Sequence, residues 1–402
     1  MPRFLFTAKT ASGRKLSNIA IAEDKEGIRA RVEAKGLTLV TARDISGTNL
    51  FNAPPADNAK VSDLVLFTRQ LATMIGAGIS LLEALEILKE QAERPGFMVA
   101  LDDIIEDVRG GADLSISLGK HPKIFKAIYI NMIKAGEASG QLEDILTRLA
   151  EYQEAAEELK SEIKSAMTYP VISLCLVLGI TIFLMVGIVP KFKSIFDGLG
   201  VELPFVTQMI LDISLYMRDN FIPGALFSGI VFFTLFMFVK KTYIGAKTWD
   251  YIMLKVPIFG PLFQKVAISR FARTFSTLLQ SGVPILGALD IVGSTSGNIL
   301  IEEVVVKAKD SIRQGSPLER PLSESWVFPP MVVRMVGIGE KSGAMETLLN
   351  KISEFYDQQV KHTVAALTSL IEPLLISMMG GMVGTIVLAI FLPIFKIQES
   401  LR

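Results

Sequence analysis

Two short stretches of this sequence combine residue types that could form a site. The pattern Gly-Glu-x-Ser-Gly occurs at Gly136, Glu137, Ser139 and Gly140, and again at Gly339, Glu340, Ser342 and Gly343. In one interpretation each pattern is a functional loop whose carboxylate faces a partner. In the other, the glycines end one helix and the serine caps the next. The capping interpretation accounts for the glycines and the serine together, and the contact interpretation stays open.

The remaining residues offer little material for catalysis or metal binding. The single cysteine, Cys175, lies in an apolar run, which excludes intrachain disulfides and zinc sites with several cysteines. The only histidines are His121 and His362, and no nucleophile stands beside a base. The stretch from Gly337 to Gly343 has neither the Walker A lysine position nor G-x-G-x-x-G spacing after a strand. We therefore expect a protein that is not an enzyme, with no catalytic residues, no cofactor and no metal.

An acidic run is the one further candidate for cation binding. It comprises Asp102, Asp103, Glu106 and Asp107. Calcium sites require oxygens that converge from more than one helical turn, so a solvated helix face is the simpler interpretation. Whether a structural cation binds there stays open at this stage.

Composition points to a membrane protein. Half of the 402 residues are hydrophobic and 20% are charged, and the mean hydropathy is +0.43. Lysine and arginine together number 41, as do aspartate and glutamate, so no net positive field exists to bind nucleic acid. The first 39 residues alternate charged and apolar positions without the apolar core of a secretory signal, so we expect a cytoplasmic N-terminus.

The first 45 residues predict a small α+β unit. Phe4, Phe6 and Ala8 alternate with less apolar positions, as in a strand, and a second strand follows up to Ala22. The stretch 24–35 is helix-like and the stretch 37–42 favours a last strand. Residues 46–60 have the composition of a linker.

Three apolar segments are long enough to cross a bilayer as helices, at 165–190, 221–239 and 365–395. We expect Pro170 to kink the first span rather than end it. Glu372, next to Pro373 near the start of the third, either is solvated among headgroups or makes a polar contact between spans. Gly380 and Gly384 form a pair that permits close helix packing, including self-association.

The sequence also repeats itself. An offset of 204 places Phe67 and Arg69 on Phe271 and Arg273, and Gly78 on Gly282. After a one-residue slip, an offset of 203 aligns the two Gly-Glu-x-Ser-Gly patterns and pairs Pro190 with Pro393.

Lysines follow the second span closely, which predicts that this side is cytoplasmic. The predicted fold class is a mainly α integral membrane protein with two homologous cytoplasmic helical bundles and three transmembrane helices. The expected parts are the α+β unit 1–45, linker 46–60, first bundle 61–164, span 165–190, periplasmic loop 191–220, span 221–239, second bundle 240–364, span 365–395 and periplasmic tail 396–402.

Several motifs, in this order and duplicated, resemble the inner-membrane platform proteins of type II secretion systems and type IV pilus machines. They are the stretch from Phe67 through Arg69, Gln70 and Gly78 to Leu81, the two Gly-Glu-x-Ser-Gly patterns, and the Tyr169-Pro170 and Glu372-Pro373 span entries. The second copy departs from the first because Thr274 stands where Gln70 does. The two bundles therefore need not bind the same surface.

The resemblance implies a non-enzymatic platform. Its implied partners are a hexameric assembly ATPase, pilin or pseudopilin subunits that enter a filament, other inner-membrane assembly proteins, membrane lipid and a further copy of the chain. The competing hypothesis is a small channel or transporter subunit. Against it, only Glu372 falls near the interior of a span, whereas solute pathways usually have a more polar lining. The sequence does not separate pilus assembly from protein secretion.

Overall fold

We describe the protein from a computed structural model. The structure describes residues 3–9, 15–22, 24–34, 37–44, 59–193 and 203–400. Nearly all of the linker expected at 46–60 lies outside the described residues, as does part of the loop expected at 191–220.

The N-terminal segment forms the predicted β-β-α-β unit. Its strands β1 (Arg3–Lys9), β2 (Lys15–Ile21) and β3 (Thr38–Asp44) make one antiparallel sheet in the order β2-β1-β3. Helix α1 (Lys25–Ala34) buries Ile28 and Val32 against Phe4 and Ala8 of β1. The alternating positions Phe4 and Ala8 therefore lie on the face of the sheet that α1 covers.

The first helical copy consists of short helices that lead into a long one. It comprises α2 (Val61–Gly76), α3 (Leu81–Gln91), α4 (Pro95–Arg109), α5 (Leu114–Gly119), α6 (Ala127–Ser139) and the beginning of α7 (Leu142–Phe183). The Ser80 hydroxyl caps α3, accepting from the Glu83 N–H at 3.3 Å. Helix α7 continues past Pro170 rather than ending there, and then through a π-helical turn (Leu184–Ile188); the kink expected at Pro170 stays a prediction.

Three helices follow α7 before the second copy begins. They are α8 (Phe205–Asp219), α9 (Phe221–Lys241) and α10 (Tyr243–Lys255). Helix α8 occupies part of the expected loop. Helix α10 falls within the segment that we expected to open the second bundle, and it bends by 102° from α9.

The second copy repeats the first in its backbone. It comprises α11 (Gly260–Gln280), α12 (Ile285–Thr295), α13 (Ile299–Arg313), α14 (Glu319–Ser323), α15 (Pro330–Ser342) and the beginning of α16 (Met345–Ser400). Three pairs of glycines related by the repeat adopt the left-handed conformation, with φ between 70° and 89°: Gly78 and Gly282, Gly111 and Gly315, Gly140 and Gly343. Each pair breaks the chain after a helix or helical stretch at the same point of the repeat.

Most of the two copies belongs to one compact unit with the N-terminal segment. This first unit comprises residues 1–158, 268–297 and 301–354. Helix α11 contacts the long helices of both copies. The Thr274 hydroxyl lies 3.2 Å from the Tyr152 hydroxyl of α7, and the Ser276 hydroxyl donates to the Glu346 carbonyl of α16 at 2.8 Å. Phe271 and Phe275 of the same helix are fully buried.

The second unit contains the apolar helices, in residues 159–267, 298–300 and 355–402. Among the described residues, two helices are long and apolar enough to cross a membrane, Leu142–Lys193 and Met345–Pro393. A third span requires the bent pair α9 and α10 to count as one. The first and third predicted spans thus correspond to continuous helices, and the number of spans stays a prediction.

Candidate functional site

The glycines that follow α6 and α15 end those helices, as the capping interpretation predicts. Gly140 has φ 70° and Gly343 has φ 72°, values that residues with a side chain rarely adopt. The N–H of Gln141 then bonds to the carbonyl of Gly136 at 3.0 Å, which satisfies one of the free carbonyls at the helix end. The chain can therefore reverse directly into α7.

The expectation that Ser139 and Ser342 cap the following helices is wrong. Each serine is the last residue of its own helix, and its hydroxyl donates backwards at 2.8 Å, to the Ala135 carbonyl and to the Ile338 carbonyl respectively. The left-handed glycine comes one residue later, so the serine is still inside the ending helix and cannot reach the next one.

Glu137 and Glu340 face the interior of their own copies. The Glu137 carboxylate accepts from the Ser115 N–H, at the start of α5, with distances of 3.2 and 3.3 Å to its two oxygens. Glu340 accepts from the Leu318 N–H, just before α14, at 3.0 and 2.9 Å. Each carboxylate thereby satisfies a donor at the start of a short helix, where the helix dipole also favours a negative charge. The structure thus gives both glutamates a structural contact.

Gly136 and Gly339 let the two helices of each hairpin approach closely. A Cβ on Gly136 would stand 3.2 Å from the Ile145 side chain and 3.3 Å from the Leu142 Cα. A Cβ on Gly339 would stand 2.9 Å from the Met345 Cα, closer than non-bonded atoms normally come. The first glycine of each pattern therefore allows the two helices to pack closely, and the last glycine allows the left-handed turn between them.

The predicted motif residues Phe67, Arg69 and Gln70 take three different positions on α2. Phe67 is buried and packs edge-on against Phe125, with ring centroids 6.2 Å apart. Phe271 and Phe328 repeat this contact in the second copy, at 5.1 Å. Gln70 is half-buried. Phe67 is thus a core residue of the repeat, and Gly78 and Gly282 are turn residues.

Arg69 forms a forked ion pair with Glu154 of α7. Its Nε and Nη2 lie 2.6 and 2.5 Å from the two carboxylate oxygens. The hydrogen bond from Arg69 lowers the pKa of Glu154. The repeat counterpart differs, because burial lowers the pKa of Arg273 while the negative charges of Glu354 and Glu158 oppose that shift. The two copies thus place the same arginine in different surroundings.

The predicted packing residues of the spans have mixed outcomes. Pro170 is buried, whereas Glu372 and Pro373 are exposed on α16. A Cβ on Gly380 or Gly384 would have no described heavy atom within 4 Å beyond its own helix backbone and adjacent residues. Within the described chain, this glycine face is therefore not used for packing, and its role in self-association stays a prediction.

Two hydroxyls of α8 bond to carbonyls in the two long apolar helices, a contact that sequence reasoning missed. Pro393 has no N–H, so the Ala389 carbonyl lacks its helical donor, and the Thr207 hydroxyl donates to it at 2.8 Å. In the π-helical turn Val189 bonds to the Leu184 carbonyl, so the donor for Met185 would come from residue 190, also a proline. Ser214 donates to Met185 instead, at 2.5 Å.

The acidic run on α4 is paired with basic side chains. Lys89 bonds to Asp102, Lys120 lies 2.6 Å from Asp107, and His121 Nε2 lies 3.9 Å from Asp103. Within the described part of the chain, no cluster of three or more His, Cys, Asp or Glu side chains could hold a metal ion. Three of the four carboxylates thus lie beside basic side chains of their own copy.

Comparison with known proteins gives a match to one family in both halves of the chain. The family described as "Type II secretion system (T2SS), protein F" matches residues 67–190 and again residues 271–393. The two matches begin at the paired residues Phe67 and Phe271 and end at the paired residues Pro190 and Pro393. The family model therefore matches each copy of the repeat once, from a phenylalanine in the first helix of the copy to a proline in its long apolar helix.

Individual relatives match along the full chain. The chain is similar to the type IV pilus assembly protein PilC of Myxococcus xanthus, with 40% identity over 403 residues covering 100% of this chain and 96% of the relative. It is 42% identical to the PilC protein of Thermus thermophilus over 406 residues, covering 100% and 99%. It is also 32% identical to type II secretion system protein F of Xanthomonas campestris pv. campestris over 408 residues, covering 100% of both.

Proposed function

We infer the function of this protein from its family, because the chain belongs to the type II secretion system protein F family. Relatives that match over the full length are named as type IV pilus assembly proteins and as type II secretion system protein F. This protein is accordingly an inner-membrane platform protein of a pilus or secretion machine. We further propose that it couples a hexameric cytoplasmic ATPase to the insertion of pilin or pseudopilin subunits into a filament.

One observation carries the coupling proposal. Helices α7 and α16 each begin in a helical copy of the first unit and continue without interruption into an apolar helix of the second unit. Hydrogen-bonded helices are stiff, whereas a glycine-rich linker is a flexible coil. A force applied by an ATPase to the helical copies would therefore reach the membrane as a tilt or rotation of these two helices.

We propose a topology with three spans. Helices α7, α9 and α16 cross the membrane, and Lys240 and Lys241 at the end of α9 favour a cytoplasmic location there. The N-terminal unit and both helical copies are then cytoplasmic, and the loop 191–220 and the tail 396–402 are periplasmic. This arrangement requires α9 to act as a span without α10.

Identity favours the pilus over the secretion machine. The pilus relatives quoted above are 40% and 42% identical, against 32% for the secretion relative. We propose that the subunit substrate is a type IV pilin, that further inner-membrane assembly proteins bind the platform, and that the chain self-associates. We also propose that the protein has no enzymatic activity of its own. The purified chain should hydrolyse no ATP, and native mass spectrometry in detergent should detect a dimer or tetramer.

Deletion of the gene tests the platform role. The null strain should lack surface filaments while still processing prepilin to its mature length, and a plasmid copy should restore the filaments. The ATPase should copurify with the tagged platform from detergent extracts of the complemented strain. Normal filaments in the null strain would refute the role. Loss of prepilin processing in the null would place the defect earlier than filament assembly.

A further inference from the structure

Helix α10 turns sharply away from the span that precedes it. A single residue, Thr242, separates α9 from α10, and the two helices are bent by 102°. Membrane-spanning helices are tilted on average by about 20° from the bilayer normal. If α9 crosses the membrane, as the proposed topology requires, α10 therefore runs close to the plane of the membrane.

One face of α10 presents apolar and aromatic side chains to the outside. The exposed fraction is 68% for Ile244, 48% for Tyr251 and 47% for Ile252. These residues recur at the spacing of one helical face, which also carries the exposed Thr248 and Lys255. Trp249, 47% exposed, lies beside this stripe. The exposed stripe of α10 thus consists largely of apolar and aromatic side chains, which a helix of a soluble protein normally buries against its core.

The orientation of α10 is fixed by contacts within the second unit. Leu254 is buried, and the Asp250 carboxylate accepts from the Ile299 N–H at 2.8 Å. A Cβ on Gly245 would stand only 2.5 Å from the Phe238 carbonyl oxygen, so the helix lies directly against the end of α9. Because these contacts fix the rotation of the helix about its axis, the stripe stays on the exposed side.

The segment around the stripe is basic. Between residues 240 and 255 there are four lysines and one aspartate, and that aspartate is the one bound to the Ile299 N–H. Lys240 and Lys241 are exposed at the end of α9, and Lys255 is exposed at the end of α10. Helices that lie in a membrane interface combine an apolar face with Trp or Tyr and with lysines that attract anionic headgroups.

We propose that α10 is an interfacial helix, and that the lysines at its junction with α9 bind the anionic phospholipid headgroups of the bilayer. Ile244, Tyr251 and Ile252 enter the boundary between headgroups and acyl chains, and Lys240 and Lys241 at the end of α9 contact lipid phosphates. The helix thereby holds the cytoplasmic end of α9 at the membrane surface. This inference rests on the proposed crossing of α9, and it assigns lipid binding to a specific segment.

Depth of insertion is measurable because the chain contains two tryptophans, Trp249 and Trp326. The variant Trp326→Phe, purified at full length, leaves Trp249 as the single reporter. In vesicles of phosphatidylethanolamine and phosphatidylglycerol, lipids brominated near the headgroup should quench Trp249 more than lipids brominated near the chain ends. Stronger quenching by the deep label would mean that α10 is part of a broken span, and quenching by neither label would mean that it lies in water. Either result would overturn the proposal.

Charge dependence is tested by lipid retention. Native mass spectrometry of the full chain should find fewer retained phosphatidylglycerol molecules for Lys240→Gln/Lys241→Gln than for the unaltered chain. Each lysine near an anionic surface changes affinity by about fivefold. The control Lys123→Gln/Lys126→Gln, which removes two exposed lysines near the start of α6, should retain lipid as the unaltered chain does. Equal retention by all three proteins would contradict binding through the lysines.

Sidedness separates failure of this inference from failure of the proposed topology. In a Cys175→Ser background, Lys307→Cys, at an exposed position of α13 in the second copy, should react with a membrane-impermeant thiol reagent added from the cytoplasmic side only. Cytoplasmic labelling with deep or absent quenching would refute the interfacial helix and leave the platform topology intact. Periplasmic labelling would refute the topology, whatever the depth of Trp249.

Discussion

The Thr207 hydroxyl donates to the Ala389 carbonyl at 2.8 Å, at a position where Pro393 leaves that carbonyl without a helical donor. Ser214, on the same face of α8, does the same for Met185 near Pro190. Pro190 and Pro393 correspond in the repeat, whereas α8 occurs once, between the copies. A single helix outside the duplication therefore joins the far ends of two duplicated helices through their freed carbonyls.

Replacing Thr207 by valine should destabilise the protein by about 1 kcal/mol, because valine keeps the shape and leaves the Ala389 carbonyl unsatisfied. The cost should shrink in a Pro393→Ala background, where residue 393 again donates to Ala389. Thermal unfolding of the four proteins in detergent gives this double-mutant cycle. Thr234→Val on α9 is the control, because Thr234 bonds only within its own helix at Ile230 and Val231. An equal cost in both backgrounds would contradict the compensation.

Local patterns predicted the parts of the fold that depend on neighbouring residues. The sheet alternation at Phe4 and Ala8 and the left-handed glycines Gly140 and Gly343 each follow from a residue's own preference or from contacts a few residues away. The repeat was visible because both copies satisfy the same constraints. The family resemblance was then recognisable from those same residues.

Contacts between distant residues were not predictable. Thr207 and Ala389 are 182 residues apart, and α8 carries no repeat signal that would point to a span. The wrong prediction that Ser139 caps the following helix had a different cause. Serine is a common capping residue, and only the position of Gly140 decides that Ser139 belongs to α6 rather than to the start of α7. The separate helix α10 was missed because its apolar stripe resembles that of a bundle helix.

The close crossing at Gly339 predicts a graded response to alanine. Gly339→Ala should cost about 2 to 3 kcal/mol, because the added Cβ meets the Met345 backbone at 2.9 Å. Gly136→Ala should cost less, about 1 kcal/mol, since part of its contact is with the Ile145 side chain, which can shift. Gly287 lies inside α12, and an added Cβ would meet only the Val283 side chain, at 3.8 Å, so Gly287→Ala should stabilise the protein by about 0.5 to 1 kcal/mol. Thermal unfolding measures all three, and equal stability of the Gly339→Ala and Gly287→Ala variants would refute the close crossing.

The ion pair between Arg69 and Glu154 predicts a pH-dependent contribution to stability. The hydrogen bond from Arg69 lowers the pKa of Glu154 below its ordinary value of 4.5, so the contribution is present above that value and is lost as the pH falls through the lowered pKa. The side chains are 36% and 41% exposed, so Glu154→Gln should cost only about 0.5 to 1 kcal/mol at pH 7. The cost should fall towards zero in acid.

Urea unfolding of both proteins across this pH range checks the ion-pair prediction. Glu90→Gln, which changes an exposed residue on α3, is the control and should change stability little at any pH. A cost for Glu154→Gln that does not depend on pH would mean that the fork stabilises through packing rather than charge.

The proposed coupling predicts that softening α7 blocks filament assembly without unfolding the first unit. Ala155 and Ala156 lie just before the boundary between the two units, and neither is fully buried. Replacing both with glycine keeps the register of the helix and removes one methyl group at each position. Each substitution costs about 1 kcal/mol of helix stability. Surface filaments should be lost while membrane insertion and platform abundance persist.

Glu137→Ala, which loses its contact with the Ser115 N–H at a comparable cost of about 1 to 2 kcal/mol, should assemble more filaments than the glycine variant. Equal assembly by the two variants would attribute the defect to stability alone and would remove the mechanical role of α7.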